Sequence, residues 1–234
     1  MLKTVGYKTI DVPPGMVLVE GGTFKMGNVN KEYMDQQPLH SVTLNSFYIS
    51  DHEVTQAEWR AVMGNSPSFH KNCDNCPVES VILDEVHEYL DKLNISTNKH
   101  YRLPTEAEWE FVARGGMHND SFKYCGSDDL DVVGWLGTKS GDSTHLVKQK
   151  KANSLGVYDM SGNVAEWCED WYDCYYYSNS PSSNPRGGSS TLAYRVIRGG
   201  GWNNDAVCCR TVFRSYFPPA VRINDIGFRV VLSQ

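Results

Sequence analysis

The C-terminal half of the chain has almost no regular periodicity. From Asn119 onward, strong strand signals occur only at Arg195 to Ile197 and at Gly227 to Leu232, and these bracket a segment from Asn203 to Ile226. Irregular chain of this length must satisfy its backbone groups with side chains, water or bound ions. An irregular insert inside a patterned frame is typical of a binding surface. We call Asn203 to Ile226 the framed segment.

The framed segment reads NNDAVCCRTVFRSYFPPAVRINDI and contains no Lys, Glu, Gln, Met or Trp, although all five occur elsewhere in the chain. It carries an apolar cluster without a helical or strand period that would bury it: Phe213, Tyr216, Phe217, Pro218 and Val221. Exposed apolar clusters mark interaction sites, and rigid aromatics supply contact area at low entropic cost. We therefore expect Phe213, Tyr216 and Phe217 to dominate binding.

Four residues in or beside this segment are assigned to the frame instead. Trp202 is expected to point inward as an anchor. Arg210, Arg214 and Arg222 are expected to hold loop carbonyls or carboxylates with their guanidinium groups. A rigid frame of this kind allows the remaining side chains to vary without unfolding the site.

The N-terminal half predicts paired strands and then helices. Val17 to Met26 and Val42 to Ile49 show the alternation and β-branched content of two strands that pair with each other. Thr55 and Glu58 form a capping box, so a first helix is expected to start there and to end at Gly64.

Two more helices are predicted to cover the sheet. The apolar stripe indicates a second helix from about Asp84 to Asn94. In RLPTEAEWEFVARGG, Thr105 and Glu108 form another capping box, and Gly115 ends the third helix. We therefore expect an α+β protein that is a single domain over residues 1–234.

Composition excludes several functions. The net charge is -6 and the mean hydropathy is -0.45, so we expect a soluble protein that does not bind nucleic acid. No segment approaches the roughly 18 apolar residues of a membrane helix. The residues MLKTVGYKTIDVPPG lack the apolar core of a signal peptide, which is weak evidence about compartment because an export signal is removed from a mature protein.

The cysteines do not imply a full disulfide framework. Their number is seven, so at least one is unpaired. Cys73 and Cys76 form a C-x-x-C without the second half of a zinc site, and either a local turn disulfide or free thiols fits that spacing.

Asp159 and Glu166 lie in the loop VYDMSGNVAEW, where Gly162 permits a tight turn that aims carbonyls inward. Hard oxygen ligands at this spacing suit calcium. The structural alternative is that Asp159 caps a turn and Glu166 pairs with an arginine, and spacing alone favours that alternative.

Five motifs in order resemble the formylglycine-generating enzyme (sulfatase-modifying factor) family: MVLVEGGTFKMG, FYISDHEVTQAEW, RLPTEAEWEFVARGG, LGVYDMSGNVAEW and RVIRGGGW with NDIGFRVV. The resemblance implies a C-type-lectin-like fold with a small twisted antiparallel sheet, flanking helices and much irregular structure held by calcium. The implied calcium ligands are the side chains of Asp159 and Glu166 and the carbonyls of Gly162 and Val164. The family's other calcium loop has no counterpart between Asn119 and Asp142.

The resemblance does not extend to the family's copper chemistry. The enzyme oxidises a substrate cysteine with oxygen, using two cysteines that bind copper(I), a soft metal suited to thiolates. Their positions in this chain are Asn204 and Cys209, and the motif serine before Trp202 is Gly201. We therefore expect neither copper nor enzymatic activity. The related iron-dependent sulfoxide synthases also fit poorly, because their metal histidines come from an additional helical domain.

A second branch of the same scaffold, the variable proteins of diversity-generating retroelements, resembles the chain more closely. In these proteins template adenines, largely in AAC codons, are replaced at random. Codons reached from AAC through its first two bases end in C, which excludes Lys, Glu, Gln, Met and Trp. The variable region is expected at about residues 201–226. The predicted substituted positions are Gly201, Asp205, Val207, Cys208, Phe213, Ser215, Tyr216, Phe217, Pro218, Ala220, Val221, Ile223 and Asp225. The alternative is ordinary drift in a family loop.

These observations predict a non-catalytic recognition protein that displays a diversified site to an unknown protein or surface ligand. The alternative function is a formylglycine-generating-type copper oxidase or a related non-haem iron enzyme. The resemblance further implies a monomer at the cell surface or outside the cell, with a cytoplasmic location as the alternative.

Overall fold

The computed structural model describes residues 12–30, 32–189 and 193–233. The first sheet joins both ends of this chain. Its strand order is β1-β4-β10-β5, with all neighbouring pairs antiparallel. The four strands are β1 (Met16–Val19), β4 (Phe47–Ser50), β5 (Tyr101–Arg102) and β10 (Val231–Ser233). Residues 1–11 lie outside the described ranges, and they include most of MLKTVGYKTIDVPPG, the segment in which no signal peptide was expected.

A two-stranded sheet branches from the first one. It consists of β2 (Gly22–Met26) and β3 (His40–Leu44). The two predicted strands do pair, but each is split in two, because the chain passes from one sheet to the other at Gly21 and Ser46. A Cβ at Gly21 would lie 2.5 Å from the carbonyl oxygen of Leu44, so only glycine allows the two backbones to cross there.

A second four-stranded sheet carries the framed segment. Its order is β8-β7-β6-β9. The strands are β6 (Ala165–Trp171), β7 (Arg195–Arg198), β8 (Ser215–Phe217) and β9 (Ile226–Gly227). The prediction of a single strand from Gly227 to Leu232 was wrong. Gly227 ends β9 in this sheet, whereas Val231 and Leu232 belong to β10 in the first sheet. The pairing of β6 with β9 is parallel, so the sheet is not wholly antiparallel as expected.

The three predicted helices are present. Helix α1 (Gln56–Met63) begins at the Thr55 capping box and ends at Gly64, whose φ is 73°. Helix α2 (Leu83–Thr97) extends past both predicted ends, to a left-handed Asn98. Its last turn carries polar side chains, which the apolar stripe could not reveal.

Helix α3 (Glu106–Ala113) begins at the predicted Thr105–Glu108 capping box, and Gly115 follows it in the left-handed region at φ 78°. Short helices α4 (Leu130–Val133) and α5 (Tyr176–Asn179) lie in the irregular half. None of the helices in the described ranges is both long and apolar enough to cross a membrane.

The β6–β7 pair separates two apolar cores. Cys168 and Val196 belong to the core beneath α3 and the first sheet. Trp167 and Ile197 belong to the core beneath α1 and α2. Successive residues of a strand point to opposite faces, so β6 and β7 contribute apolar side chains to both cores. The framed segment is therefore attached to strands that are buried on both faces.

Candidate ligand-binding site

The framed segment starts and ends beside the same buried strand, β6. It leaves β7 and returns at β9, and both strands flank β6. The Ala165 N–H donates to the carbonyl of Asp225 at 2.8 Å. Trp202 is 7% exposed, and its indole N–H donates to the carbonyl of Asn224 at 3.0 Å. The expected inward anchor thus ties the two ends of the segment together.

Arg198 of β7 forms hydrogen bonds with the backbone in the middle of the framed segment. Its guanidinium is fully buried and donates to the carbonyls of Thr211 at 2.9 Å and Phe213 at 2.6 Å. Its charge is balanced by Glu110 on α3, 2.6 Å away. Because these carbonyls belong to irregular chain, the buried arginine supplies hydrogen bonds that a strand partner would otherwise supply.

Arg214 provides a second buried attachment. It makes two hydrogen bonds to Glu106, at 2.7 and 2.8 Å, and one to the carbonyl of Asp35 at 2.7 Å. Burial alone would raise the pKa of Glu106, but Arg214 and Arg198 lower it below its usual value. The carboxylate is therefore charged inside the core, and the pair fixes the backbone on either side of Arg214.

The other two arginines lie at the periphery. Arg222 pairs with Glu85 at the start of α2, where 48% of the arginine side chain is exposed. Arg210 donates to the carbonyl of Val207 at 3.0 Å. All three arginines of the framed segment thus bind loop carbonyls or carboxylates, which is the role expected for them.

A cavity of about 390 Å³ opens between the two limbs of the framed segment. Six of the predicted variable positions line it: Asp205, Cys208, Ser215, Phe217, Ile223 and Asp225. Its remaining wall comes from Asn203, Asn204 and three residues of the buried sheet, Ala165, Ile197 and Ile226. Sequence reasoning did not assign these three residues to the site, because their positions follow from the pairing of β6 with β7 and β9.

The other predicted positions do not all face this cavity. In β8, Ser215 and Phe217 line the cavity, whereas Tyr216 lies on the opposite face, 4.2 Å from the ring centroid of Tyr172 and 5.1 Å from that of Tyr194. Tyr216 remains 46% exposed. The predicted variable positions therefore do not all lie on one ligand-facing surface, because successive residues of β8 point to opposite faces of the sheet.

The remaining positions surround the segment. Phe213 lies edge-on to Tyr33, with ring centroids 6.3 Å apart. Half-exposed or exposed side chains continue from the cavity along the rim, at Val207, Pro218, Ala220 and Val221. The backbone of this rim is fixed, since the carbonyl of Pro219 accepts from the Leu83 N–H at 2.9 Å.

Gly201 differs from the other predicted positions. It is buried, and a Cβ there would lie 2.5 Å from the carbonyl oxygen of Asp225. A side chain would require the closing turn of the segment to move. The assignment of Gly201 as a ligand-contacting residue is therefore corrected: it belongs to the frame.

The two positions that correspond to the copper ligands are not equivalent. Cys209 is fully buried, and burial raises the pKa of its thiol to about 12. Asn204 donates to Asp225 at 2.9 Å and accepts from the Gly201 N–H at 2.9 Å. An amide and a buried, protonated thiol do not form the pair of thiolates that copper(I) prefers. Cys208, one residue away, lines the cavity, and burial raises the pKa of its thiol too.

The C-x-x-C alternative is resolved. Cys73 and Cys76 form a disulfide in a turn, with an S–S distance of 2.02 Å. The other five cysteines are free thiols.

The four candidate calcium ligands lie in the loop before and at the start of β6. Asp159 is 2% exposed; its Oδ2 accepts from the Lys148 N–H at 2.7 Å, while its Oδ1 has no hydrogen-bond partner among the described residues. Glu166 accepts from Arg229 through both oxygens and from the indole of Trp109. Gly162 has a φ of 91° and forms the expected tight turn to Val164.

Glu53 is a buried neighbour that sequence reasoning missed. It accepts from the side chain of Asn163 at 2.6 Å and from the Val164 N–H at 3.1 Å. Burial, together with the charges of Asp159 and Glu166, raises its pKa well above the usual value. The predicted arginine partner of Glu166 is thus present, yet three buried carboxylates interact with the one guanidinium of Arg229.

Within the described ranges, no three His, Cys, Asp or Glu side chains are grouped so as to hold a metal ion, so the donor set fits a bound cation only in part. The unpartnered Oδ1 of Asp159 and the excess of carboxylates favour a cation at this loop. Glu166 contributes less than expected, because three donors already occupy its oxygens.

Comparisons with known proteins cover nearly the whole chain. Residues 4–234 match the family described as "Sulfatase-modifying factor enzyme 1-like domain". The chaperone protein LppX of Paenibacillus barcinonensis is 33% identical, covering 95% of this chain and 91% of that protein. The formylglycine-generating enzyme of Streptomyces coelicolor is 29% identical, covering 92% of this chain and 88% of that enzyme.

Solved structures include a similar protein. Treponema denticola variable protein 1 has a TM-score of 0.86 and 32% identity to this chain, covering 94% of it and 95% of that structure. The C-type-lectin-like fold and the resemblance to variable proteins are therefore confirmed.

Proposed function

The chain belongs to the sulfatase-modifying factor enzyme 1-like family, and we propose that it is a non-catalytic member that binds ligands through a diversified surface. One observation supports this function above all. Six positions that the retroelement pattern predicts to vary line one cavity of about 390 Å³, and the frame around it is held by buried arginines. In the part of the chain that the structure describes, Asp225 is the one cavity position of the six whose side chain makes a hydrogen bond, to Asn204, so the other five can change without removing a bond that holds the frame.

The chemistry of the wall supports binding rather than oxidation. The cavity carries acidic, amide, hydroxyl and aromatic groups around an apolar floor, a mixture that suits recognition of a partner's side chains. The copper positions hold Asn204 and a buried Cys209. The ligand is a protein or another surface molecule, and its contacts include Phe213 and Tyr216 outside the cavity as well as Phe217 within it.

Copper titration tests the absence of catalysis. The reduced protein is titrated with copper(I) in the presence of a competing chelator, and a sulfatase-derived cysteine peptide is then assayed for conversion to formylglycine. We expect no tight binding to a pair of thiolates and no turnover. The variant Asn204→Cys is the matched control, because it restores the missing ligand beside Cys209. Tight binding with turnover by the unmodified chain would overturn the proposal.

We also propose that calcium binds at the Asp159 loop. Asp159 would supply the free Oδ1, Glu166 the remaining lone pair of one oxygen, and Gly162 and Val164 their carbonyls. The ion would balance the excess negative charge of the buried carboxylates. Its role would be to rigidify the loop that precedes β6, and thus the floor of the cavity.

A recognition role is consistent with display at the cell surface or outside the cell. We propose this location together with a monomeric state, since the diversified surface requires access to external ligands. Fractionation of the native host, with antibody labelling of intact cells, distinguishes it from a cytoplasmic location.

A further inference from the structure

A second cleft, of about 350 Å³, lies beside the framed segment on the side of the β2–β3 hairpin. It is bounded by the hairpin, by the loop after α3, and by residues 210–212. None of its lining residues is among the predicted variable positions. It therefore lies beside the surface that is proposed to vary and outside it.

The cleft is cationic in a chain whose net charge is -6. Four basic residues line it: Lys25, Arg114, Lys123 and Arg210. Arg114 pairs with Glu110, 3.0 Å away, and shares that carboxylate with Arg198. Within the described ranges, no carboxylate lies within salt-bridge distance of the other three. The single acidic side chain that lines the cleft, Asp120, accepts a hydrogen bond from Ser154 at 2.8 Å.

Arg210 is held in place for binding. Its Nε donates to the carbonyl of Val207, and its guanidinium lies 4.4 Å from the ring centroid of Tyr33 and 5.7 Å from that of Phe213. Its Nη2 is buried without a hydrogen-bond partner among the described residues. A donor in that position is out of a ligand's reach unless side chains move, so the guanidinium offers a ligand its charge and its remaining N–H groups. An arginine fork fixed in this way is suited to a carboxylate.

Apolar side chains surround the charged part of the cleft. Val29, Leu39 and Phe122 line it and are 75%, 39% and 42% exposed. A small inorganic anion would leave these side chains in water. A peptide that carries both carboxylates and apolar side chains would cover them while neutralising the lysines.

We propose that this cleft binds an acidic peptide segment of a partner protein, with carboxylates at Arg210, Lys25 and Lys123 and apolar side chains against Val29 and Phe122. The occupant follows from charge complementarity with the uncompensated cations. The site does not depend on diversification, since none of its lining residues is a predicted variable position.

Peptide titration tests the site. An acetylated, amidated peptide of sequence LEDFE, labelled with a fluorophore, is titrated with the full chain, and its anisotropy is measured at low and high salt. The uncharged peptide LQNFQ is the matched ligand control. We expect saturable binding of LEDFE that weakens as sodium chloride screens the cleft, and no comparable binding of LQNFQ.

Three variants locate the binding. Lys25→Gln and Lys123→Gln are each expected to raise the Kd by about three- to tenfold, and Arg210→Lys by a similar factor because the fork is lost while the charge remains. Lys151→Gln, an exposed lysine elsewhere, is expected to leave the Kd unchanged. Circular dichroism confirms that each variant is folded.

Several outcomes would overturn the site. Binding of LQNFQ as tight as that of LEDFE would show that the peptide's carboxylates do not contribute to binding. A rise in Kd for Lys151→Gln equal to that for the cleft variants would indicate non-specific electrostatic attraction. Complete displacement of LEDFE by inorganic phosphate at the same low concentration would show a small-anion site in place of a peptide site. Absence of saturable binding below about 1 mM would also refute it.

Discussion

Replacing Arg214 with methionine should destabilise the frame far more than an equal change at Arg222. Arg214→Met leaves Glu106 buried beside Arg198, 3.6 Å away, and removes the bond to the Asp35 carbonyl. Breaking a buried ion pair costs about 3–5 kcal/mol, and the remaining arginine places this case near the lower limit. For a chain of this size, about 3 kcal/mol lowers the Tm by roughly 6–12 °C.

The matched control lies in the same segment. Arg222 pairs with Glu85 at the surface, so Arg222→Met is expected to cost below about 1 kcal/mol, or less than roughly 4 °C. Both are measured by calorimetry or by circular dichroism during heating. The double variant Glu106→Gln with Arg214→Met should regain part of the loss, because a neutral amide is less costly to bury than an unpaired carboxylate. Equal changes in Tm for the two single variants would refute the arginine-held frame.

Three further predictions concern the cavity and two titrating groups. Cys208→Ser and Ser215→Asn should each change the Tm by less than about 3 °C, since surface substitutions rarely exceed 0.5–1 kcal/mol; larger losses by calorimetry would show that these positions support the frame. Burial alone would lower the pKa of His52, but hydrogen bonds to Asp51 and Glu58 raise it to about 9. His52 contributes its full stabilisation below pH 6.5 and loses it as pH rises through 9. The free energy of unfolding of His52→Gln, measured with urea, should therefore depend less on pH between 6.5 and 9 than that of the unmodified chain. An equal pH dependence would contradict this prediction. Burial raises the pKa of Asp159 to about 6, so the metal-free protein should lose stability as pH rises from 4 to 6, and calcium should raise the Tm. A chelator should reverse that gain, and Asp159→Asn should remove it; an unchanged Tm in excess chelator argues against the site.

Local signals predicted the helices well. The capping boxes at Thr55 and Thr105 involve residues three apart, and both are formed in the structure. A capping box lies within the first turn of its helix, so the start of such a helix can be predicted from the local sequence without knowledge of tertiary contacts. The end of α2 could not be predicted in this way, because its last turn buries no side chain and its one apolar residue, Ile95, is 83% exposed.

Contacts distant in sequence were less predictable. The strand predicted from Gly227 to Leu232 divides between two sheets, because Arg229 turns inward to Glu166, 63 residues away. The expected roles of the arginines were confirmed, but the carboxylate partners, Glu106 on α3 for Arg214 and Glu85 on α2 for Arg222, could not be identified from spacing. The missed Glu53 interacts with a loop 110 residues further along the chain.

The sequence predicted which segment forms the candidate site, but not how its side chains are arranged in space. Composition and the frame identified Asn203 to Ile226, and six of its predicted variable positions meet at one cavity. Strand alternation in β8 then places Tyr216 on the other face, and close backbone packing excludes Gly201. These corrections required knowledge of the register of β8 with β7 and of the turn that closes the segment.

Sequencing the 3′ end of the gene in many cells of one culture, together with its flanking DNA, tests diversification most directly. We predict substitutions at Asp205, Cys208, Ser215, Tyr216, Ile223 and the other variable positions, no substitutions at Arg198 or Arg214, and a nearby near-copy of the coding segment whose adenines mark the changed bases. A uniform segment, with neither a near-copy nor a reverse transcriptase gene beside it, would contradict a diversified binding surface.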